Sequence, residues 1–231
     1  GRKLMDEFYG TYGMLSFNGG NTGTQMGGWF RKEIKTPADL KGLKMRLGGG
    51  LVGDVMTKLG VVPQSIPGGE IYQALEKGTI DAAEWVGPYD DQKLGFNKVA
   101  PNYYYPGWWE GGPEVDFFIN KKAFDALSPE NKAIISAASA VASQDMLAKY
   151  DARNPTALKQ LIGAKTKLLP FSKEILDASY KASLQVYEEN AAKSPEWKKI
   201  YADFLTFQRD QVAWFRVAEG RFDNYMQSVK L

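Results

Sequence analysis

Between residues 12 and 87, short apolar runs alternate with helical stretches of about ten residues, and this alternation constrains the fold more than any other feature of the chain. "YGMLSF" (12–17), "GWFRKEI" (28–34), "LKMRLG" (43–48), "VVPQSIP" (61–67) and "DAAEWVG" (81–87) read as strands. "LVGDVMTKLG" (51–60) and "GGEIYQALEKGTI" (68–80) read as helices, and "TPADLKG" as a helical turn capped by Thr36 with Pro37 at its first position. Helices between strands imply parallel crossovers and therefore a sheet covered on both faces, the habit of an α/β protein. "NGGNTGTQMGG" (18–28) reads as a glycine-rich loop.

Further along, "PNYYYPGWWEGGPEVDFFIN" sets Tyr103, Tyr104, Tyr105, Trp108 and Trp109 among glycines and prolines. It reads either as a twisted edge or crossover strand with an apolar plug, or as a ligand wall of rings with polar tips. From Ser128 the pattern is helical, with Pro155 expected to kink or break it. "KTKLLPF" adds a strand, and two helical stretches, 172–193 and 195–229, close the chain. The last carries Trp197, Ile200, Tyr201, Phe204, Phe207, Val212, Phe215 and Phe222, an apolar set expected to pack on the body of the protein or on another subunit.

Composition removes whole classes of chemistry. The 231 residues include no His and no Cys, which excludes His-activated nucleophiles, zinc held by His or Cys, and c-type haem. With 29 basic and 27 acidic residues the net charge is +2, no footprint for nucleic acid or an anionic membrane. No apolar run approaches the ~20 residues of a bilayer span. The chain opens without Met in what reads as the end of a helix, as expected of a trimmed chain or a piece of a longer one.

Gly48, Gly50 and Gly53 follow the strand 43–48 with the spacing G-x-G-x-x-G. A dinucleotide site also needs an acidic residue at the end of the next strand, to hold the ribose hydroxyl. "VVPQSIP" has none, Glu70 lies beyond it, and no Gly-Lys-Ser/Thr follows the glycines. The nucleotide reading therefore fails. What remains is Arg46, at the carboxyl end of a strand expected to be parallel, where open α/β sheets keep their ligand crevice. Its planar fork suits a carboxylate, and the helix N-terminus after the glycines adds positive potential. Glu84 and Trp85 end another such strand, so Glu84 is either half of a structural ion pair with Arg46 or the anionic part of a site for an acid plus a cation.

Taken together, "GNTGTQMGGWFRKEIKTPADLKGLKMRLGG", "LGVVPQSIPGGEIYQALEKGTIDAAEWVGPYDD" and "YYYPGWWEGGP" resemble the solute-binding proteins of tripartite ATP-independent periplasmic (TRAP) transporters, DctP-type, in the branch that binds 2-oxo acids and similar monocarboxylates. The resemblance implies an α/β fold of two lobes joined by hinge strands and a long helix, with the N-terminal part of lobe I absent from this chain. Residues 1–84 and 123–170 would form ligand-binding lobe II, 85–122 would cross into lobe I, and 171–231 would be C-terminal helices packing on the lobes and on a dimer partner. It also implies that Arg46 salt-bridges the substrate carboxylate, that Gln25, Glu84 and the Trp85 carbonyl hold a metal cation, and that Trp108 and Glu110 lie near the pocket wall.

Such a donor set, all oxygen, favours hard cations over transition metals. Glu84, Arg46 and a monocarboxylate sum to one negative charge, and a closed site avoids net charge, so Na⁺ is the first expectation and Ca²⁺ the second. The expected function is a periplasmic receptor, not an enzyme, that hands a pyruvate-like acid to a membrane permease. Two rivals are a metal-assisted α/β enzyme using Glu84 or Glu110 as base on a 2-oxo acid, and an oligosaccharide binder stacking sugars on paired Trp.

Overall fold

In the computed structural model, which describes residues 1–229, the alternation becomes a six-stranded sheet and a separate two-stranded one. The chain runs α1 (Arg2–Gly10), β1 (Met14–Asn21), β2 (Gly28–Phe30), β3 (Lys44–Arg46), α2 (Leu51–Lys58), β4 (Val62–Gln64), α3 (Ile71–Lys77) and β5 (Ala82–Ala83). It continues through α4 (Pro88–Leu94), β6 (Asn102–Tyr105), β7 (Glu114–Asn120), α5 (Lys121–Asp125), α6 (Pro129–Gly163), β8 (Lys167–Pro170), α7 (Lys173–Lys193), α8 (Pro195–Val217) and α9 (Glu219–Ser228). Of the segment 171–231, the last two residues lie outside the described residues.

The larger sheet has the order β4-β3-β5-β2-β6-β8. β3 is parallel to β4 and β5, the arrangement the crossover helices α2 and α3 dictate. The expectation of parallel strands fails at β2, which runs antiparallel to β5 and β6. No helix lies between β1 and β2; β2 is reached through a short link, so nothing forces a crossover.

β2 and β6 are buried on both faces. Successive side chains of a strand point to opposite sides. Trp29 and Tyr103 therefore stack at 3.8 Å in a cluster with Ile71, Leu75, Ile80, Phe96 and Leu161, whereas Phe30 and Tyr104 join Met45, Met56, Phe171 and Ile175 on the other face. This bears out the apolar plug for Tyr103 and Tyr104 and corrects the edge position and, for these two rings, the ligand wall. β6 lies between β2 and β8, not at an edge, and Tyr103 and Tyr104 are core residues. The Tyr104 hydroxyl sits in a ring of backbone groups, accepting from the Ile34 N–H and donating to the Ile34 carbonyl.

The start of the glycine-rich stretch, residues 18–21, is strand rather than loop, while 22–27 form the expected irregular link to β2. β1 pairs antiparallel with β7 through Asn21, with a register shift at Asn18/Gly20. A Cβ on Gly19 would lie 2.1 Å from the Phe117 ring and one on Gly20 2.4 Å from Met146 Sδ, so these glycines allow close packing on β7 and α6.

Pro155 does not break α6, which runs unbroken over 35 residues. Helix α4 is docked against that turn: Asn154 accepts from the Tyr89 N–H, Arg153 donates to the Tyr89 hydroxyl and Gln92 donates to Gln160. The expected single helix 195–229 is instead interrupted at Ala218, where ψ is −103°. Trp197 and Tyr201 pack beside Tyr187, while Phe204, Phe207, Trp214, Phe215 and Phe222 remain exposed. No helix among the described residues is long and apolar enough to cross a membrane.

Candidate functional site

Arg46 is the last residue of β3, and register fixes it beside Ala83 of β5. Its Nη1 donates to the Glu84 carboxylate at 3.0 Å and to the Glu84 carbonyl at 2.8 Å, while Nε donates to the Ile66 carbonyl at 3.4 Å. The guanidinium lies 4.9 Å from the centre of the Trp85 ring. That ring is seated on Gly68, where a Cβ would come within 2.6 Å of it. Strand register, a carboxylate and an indole face thus orient one arginine, and among the described residues its Nη2 has no hydrogen-bond partner.

The glycines that follow have a different role from those of β1. A Cβ on Gly48, Gly49, Gly50 or Gly53 would meet nothing within 4 Å, so the space beside them is open. Gly49 and Gly50 have φ of 87° and 64°, which L side chains adopt rarely, and so turn the chain from Arg46 into α2.

Glu84 is buried to 7% exposure. Burial pushes its carboxyl up to about 7; Arg46 opposes the rise, and the charges of Glu110 and Asp91 add to it. Glu110, half-buried, is also raised by burial. Glu110 and Asp91 thus add negative charge around the pair of Glu84 with Arg46, an electrostatic setting that favours a further positive ion.

Gln25 approaches from the link between β1 and β2. The Met26 N–H donates to the Val86 carbonyl at 3.1 Å, and the Gly107 N–H donates to the Gln25 carbonyl at the same distance. A Cβ on Gly107 would lie 2.8 Å from that carbonyl oxygen, so the link is clamped between residues 84–86 and 106–110. Gln25 itself is 3% exposed, and its Oε1 is buried without a hydrogen-bond partner among the described residues. A buried, unpaired amide oxygen costs about 1–3 kcal/mol. An acceptor left in this state fits a hard cation, as do the carboxylate of Glu84 and the carbonyl of Trp85, to which no hydrogen bond is made among the described residues.

The structure brings Arg46, Glu84 and Trp85 into contact and ties the backbone beside Gln25 to Val86, with Glu110 close enough to act on the Glu84 charge. Trp108 is occupied differently: it packs against the apolar clusters of Met56 and Phe171 and of Val55 and Val186, with Trp109 edge-on at 5.0 Å. One residue escaped the sequence reading. Asp91, in the first turns of α4, is 1% exposed and accepts from Trp29 Nε1 (2.9 Å), the Tyr103 hydroxyl (2.7 Å) and the Val86 N–H (3.2 Å). Burial pushes its carboxyl up to about 7 against those three donors. Gly87 and Pro88 before it are helix-start signals, and they could have marked the helix that carries it. An apolar cavity of about 510 Å³ lies elsewhere, between α1, α7 and α8; its lining is largely aromatic and includes none of Gln25, Arg46 and Glu84.

Residues 1–194 match the family model described as bacterial extracellular solute-binding protein, family 7. The chain is 49% identical over 228 residues to the monocarboxylate 2-oxoacid-binding periplasmic protein of Nostoc sp., covering 99% of this chain and 62% of that one. It thus spans about three-fifths of the length of that curated relative. A TRAP transporter solute-binding protein from Bordetella bronchiseptica, a mixed-occupancy dimer with copurified calcium and picolinate in one site, superposes with a TM-score of 0.94 at 55% identity, over 99% of this chain and 68% of that one. A TRAP periplasmic solute-binding protein from Pseudoalteromonas atlantica with bound sodium and pyruvate gives 0.91 at 44% identity, over 100% of this chain and 69% of that one.

Proposed function

The chain belongs to the bacterial extracellular solute-binding proteins of family 7, and from that premise we propose that it is the gripping part of a periplasmic TRAP receptor for a small 2-oxo or 2-hydroxy monocarboxylate taken up with a cation. The observation that carries this reading is a part-buried Arg46 held by Glu84 at the end of β3, together with a buried, unpartnered Gln25 oxygen on the link that is hydrogen-bonded to Val86. Relatives 44% and 55% identical that hold sodium with pyruvate or calcium with picolinate support the ligand class.

In this reading Arg46 takes the ligand carboxylate. Nη1 already serves Glu84, so the N–H groups of Nη2 are those left for a second carboxylate. Gln25 Oε1, Glu84 and the Trp85 carbonyl hold the cation, Na⁺ or Ca²⁺, which neutralises the paired acids and orients the ligand's oxo or hydroxyl oxygen. Glu110 adds negative charge beside Glu84, and Trp108 stiffens the wall from behind. No bond is made or broken; the protein binds the acid and passes it to a membrane permease. The six-stranded sheet is the part that grips the ligand; it draws on the expected lobe 1–84 and 123–170 and also takes in β6 from the segment 85–122 read as the crossover. The exposed aromatic face of α8 and α9 is the surface for a second copy of the chain.

Calorimetry with pyruvate tests the proposal. Heat of binding is expected in sodium or calcium buffer and is lost in a cation-free buffer of matched ionic strength. Undiminished binding without either cation, or no binding of any 2-oxo acid in their presence, would refute it.

A further inference from the structure

We propose that Asp91 is a positioning residue for the cation, acting through the Trp85–Val86 peptide; this rests on the reading of Gln25, Glu84 and Trp85 as cation ligands. The Trp85 carbonyl and the Val86 N–H belong to one planar amide, and in a trans peptide they point in opposite directions. Asp91 Oδ1 accepts from that N–H at 3.2 Å, so the carboxylate stands behind the peptide and the carbonyl is aimed away from it. An anion accepting from the N–H draws electron density toward the carbonyl oxygen, which makes it a better ligand, and fixes the plane of the amide. A carboxylate behind a metal-bound imidazole does the same for a ring nitrogen.

The surroundings fit this role. Asp91 Oδ2 is held by Trp29 Nε1 and the Tyr103 hydroxyl, both within the core, so the carboxylate cannot turn away from Val86. The relay reaches the second ligand as well. The Val86 carbonyl accepts from the Met26 N–H, and Met26 follows Gln25 directly. One buried carboxylate therefore holds the Trp85–Val86 peptide, which presents the Trp85 oxygen, and the next peptide along, through the Val86 carbonyl, anchors the link carrying Gln25. Helix α4 needs no buried acid to form: Gly87 precedes it, Pro88 opens it and Gly95 ends it in the left-handed conformation.

The test uses the full chain with calcium as the probe. Calorimetric titration of wild type in saturating pyruvate measures calcium affinity, and its absence there would sink the parent reading rather than this one. Asp91→Asn is expected to weaken calcium about 10- to 100-fold, while at saturating calcium pyruvate binds with wild-type affinity. Tyr103→Phe, which removes a donor but leaves the Val86 bond, is expected to lower stability with calcium affinity near wild type. Equal calcium affinity in Asp91→Asn and wild type, or an equal loss in both variants, overturns the relay. A second measurement needs no variant: the Val86 amide proton in wild type is expected to shift downfield as calcium binds, and a Val86 resonance unmoved by bound calcium overturns the proposal whether or not Asp91→Asn folds.

Discussion

Replacing Gln25 with Met is expected to make the ligand-free protein more stable and a worse receptor. The Gln25 side chain is 3% exposed and its Oε1 is unpartnered, so the folded state carries a desolvated carbonyl that water satisfies in the unfolded chain. Removing such a group recovers about 1–3 kcal/mol. Met has nearly the same length and bends to fill irregular space, so little is lost in packing. For a chain of this size the gain corresponds to a rise in Tm of roughly 2–12 °C. The same change deletes one proposed cation oxygen, so pyruvate affinity in calcium is expected to fall while the melting temperature rises. Thermal unfolding in cation-free buffer and calorimetry in calcium read the two effects separately. A variant that melts lower than wild type and binds pyruvate unchanged would refute the reasoning, because the oxygen would then be neither a burden to the fold nor a ligand.

Arg46→Ala leaves the buried Glu84 carboxylate without its partner, a loss of about 3–5 kcal/mol in stability, and abolishes measurable pyruvate binding. Adding Glu84→Gln restores most of the stability by chemical denaturation and none of the binding; recovered binding would show that Arg46 acts only as a structural partner. In cation-free buffer, stability is expected to fall as pH rises from about 5 to 7. Asp91 and Glu84, raised to about 7 from 3.8 and 4.5, keep protons in the folded state that the unfolded chain has already released. Each contributes a slope of at most about −1.4 kcal/mol per pH unit in that window and none above about pH 8. Urea unfolding at several pH values checks this, and stability rising across the window would contradict it.

Much of this arrangement was legible in the sequence, for reasons that can be named. Helices 51–60 and 68–80 between apolar runs gave β3, β4 and β5 their parallel order, and that order puts Arg46 and Glu84 at one end of the sheet. The direction of β2 was hidden, because a three-residue strand has no period of its own and its partners lie far along the chain. Tyr103 and Tyr104 misled for a related reason: a strand buried on both faces shows no alternation, so nothing local separates core from ligand wall. Gly19 and Gly20 read as loop formers because the close approach of Phe117 and Met146 is a tertiary fact. Pro155 was expected to kink or break α6; it does not break it, and the contacts that α4 makes across that turn lie some sixty residues earlier in the chain. Asp91 was missed because its partners, Trp29, Tyr103 and Val86, meet only when the sheet forms.

Arg46, Glu84 and Trp85 lie at the ends of adjacent strands, and the link carrying Gln25 is tied by backbone hydrogen bonds to Val86, next to Trp85, and to Gly107. The groups proposed to read the charged head of the ligand are therefore mutually rigid. Selectivity for the head and selectivity for the tail can then vary independently: a substitution that enlarges the space beyond the open glycines at 48–50 alters which tails are admitted without moving the atoms that grip the acid. A receptor built this way can acquire a new substrate in small steps, because the part hardest to reinvent stays where it is.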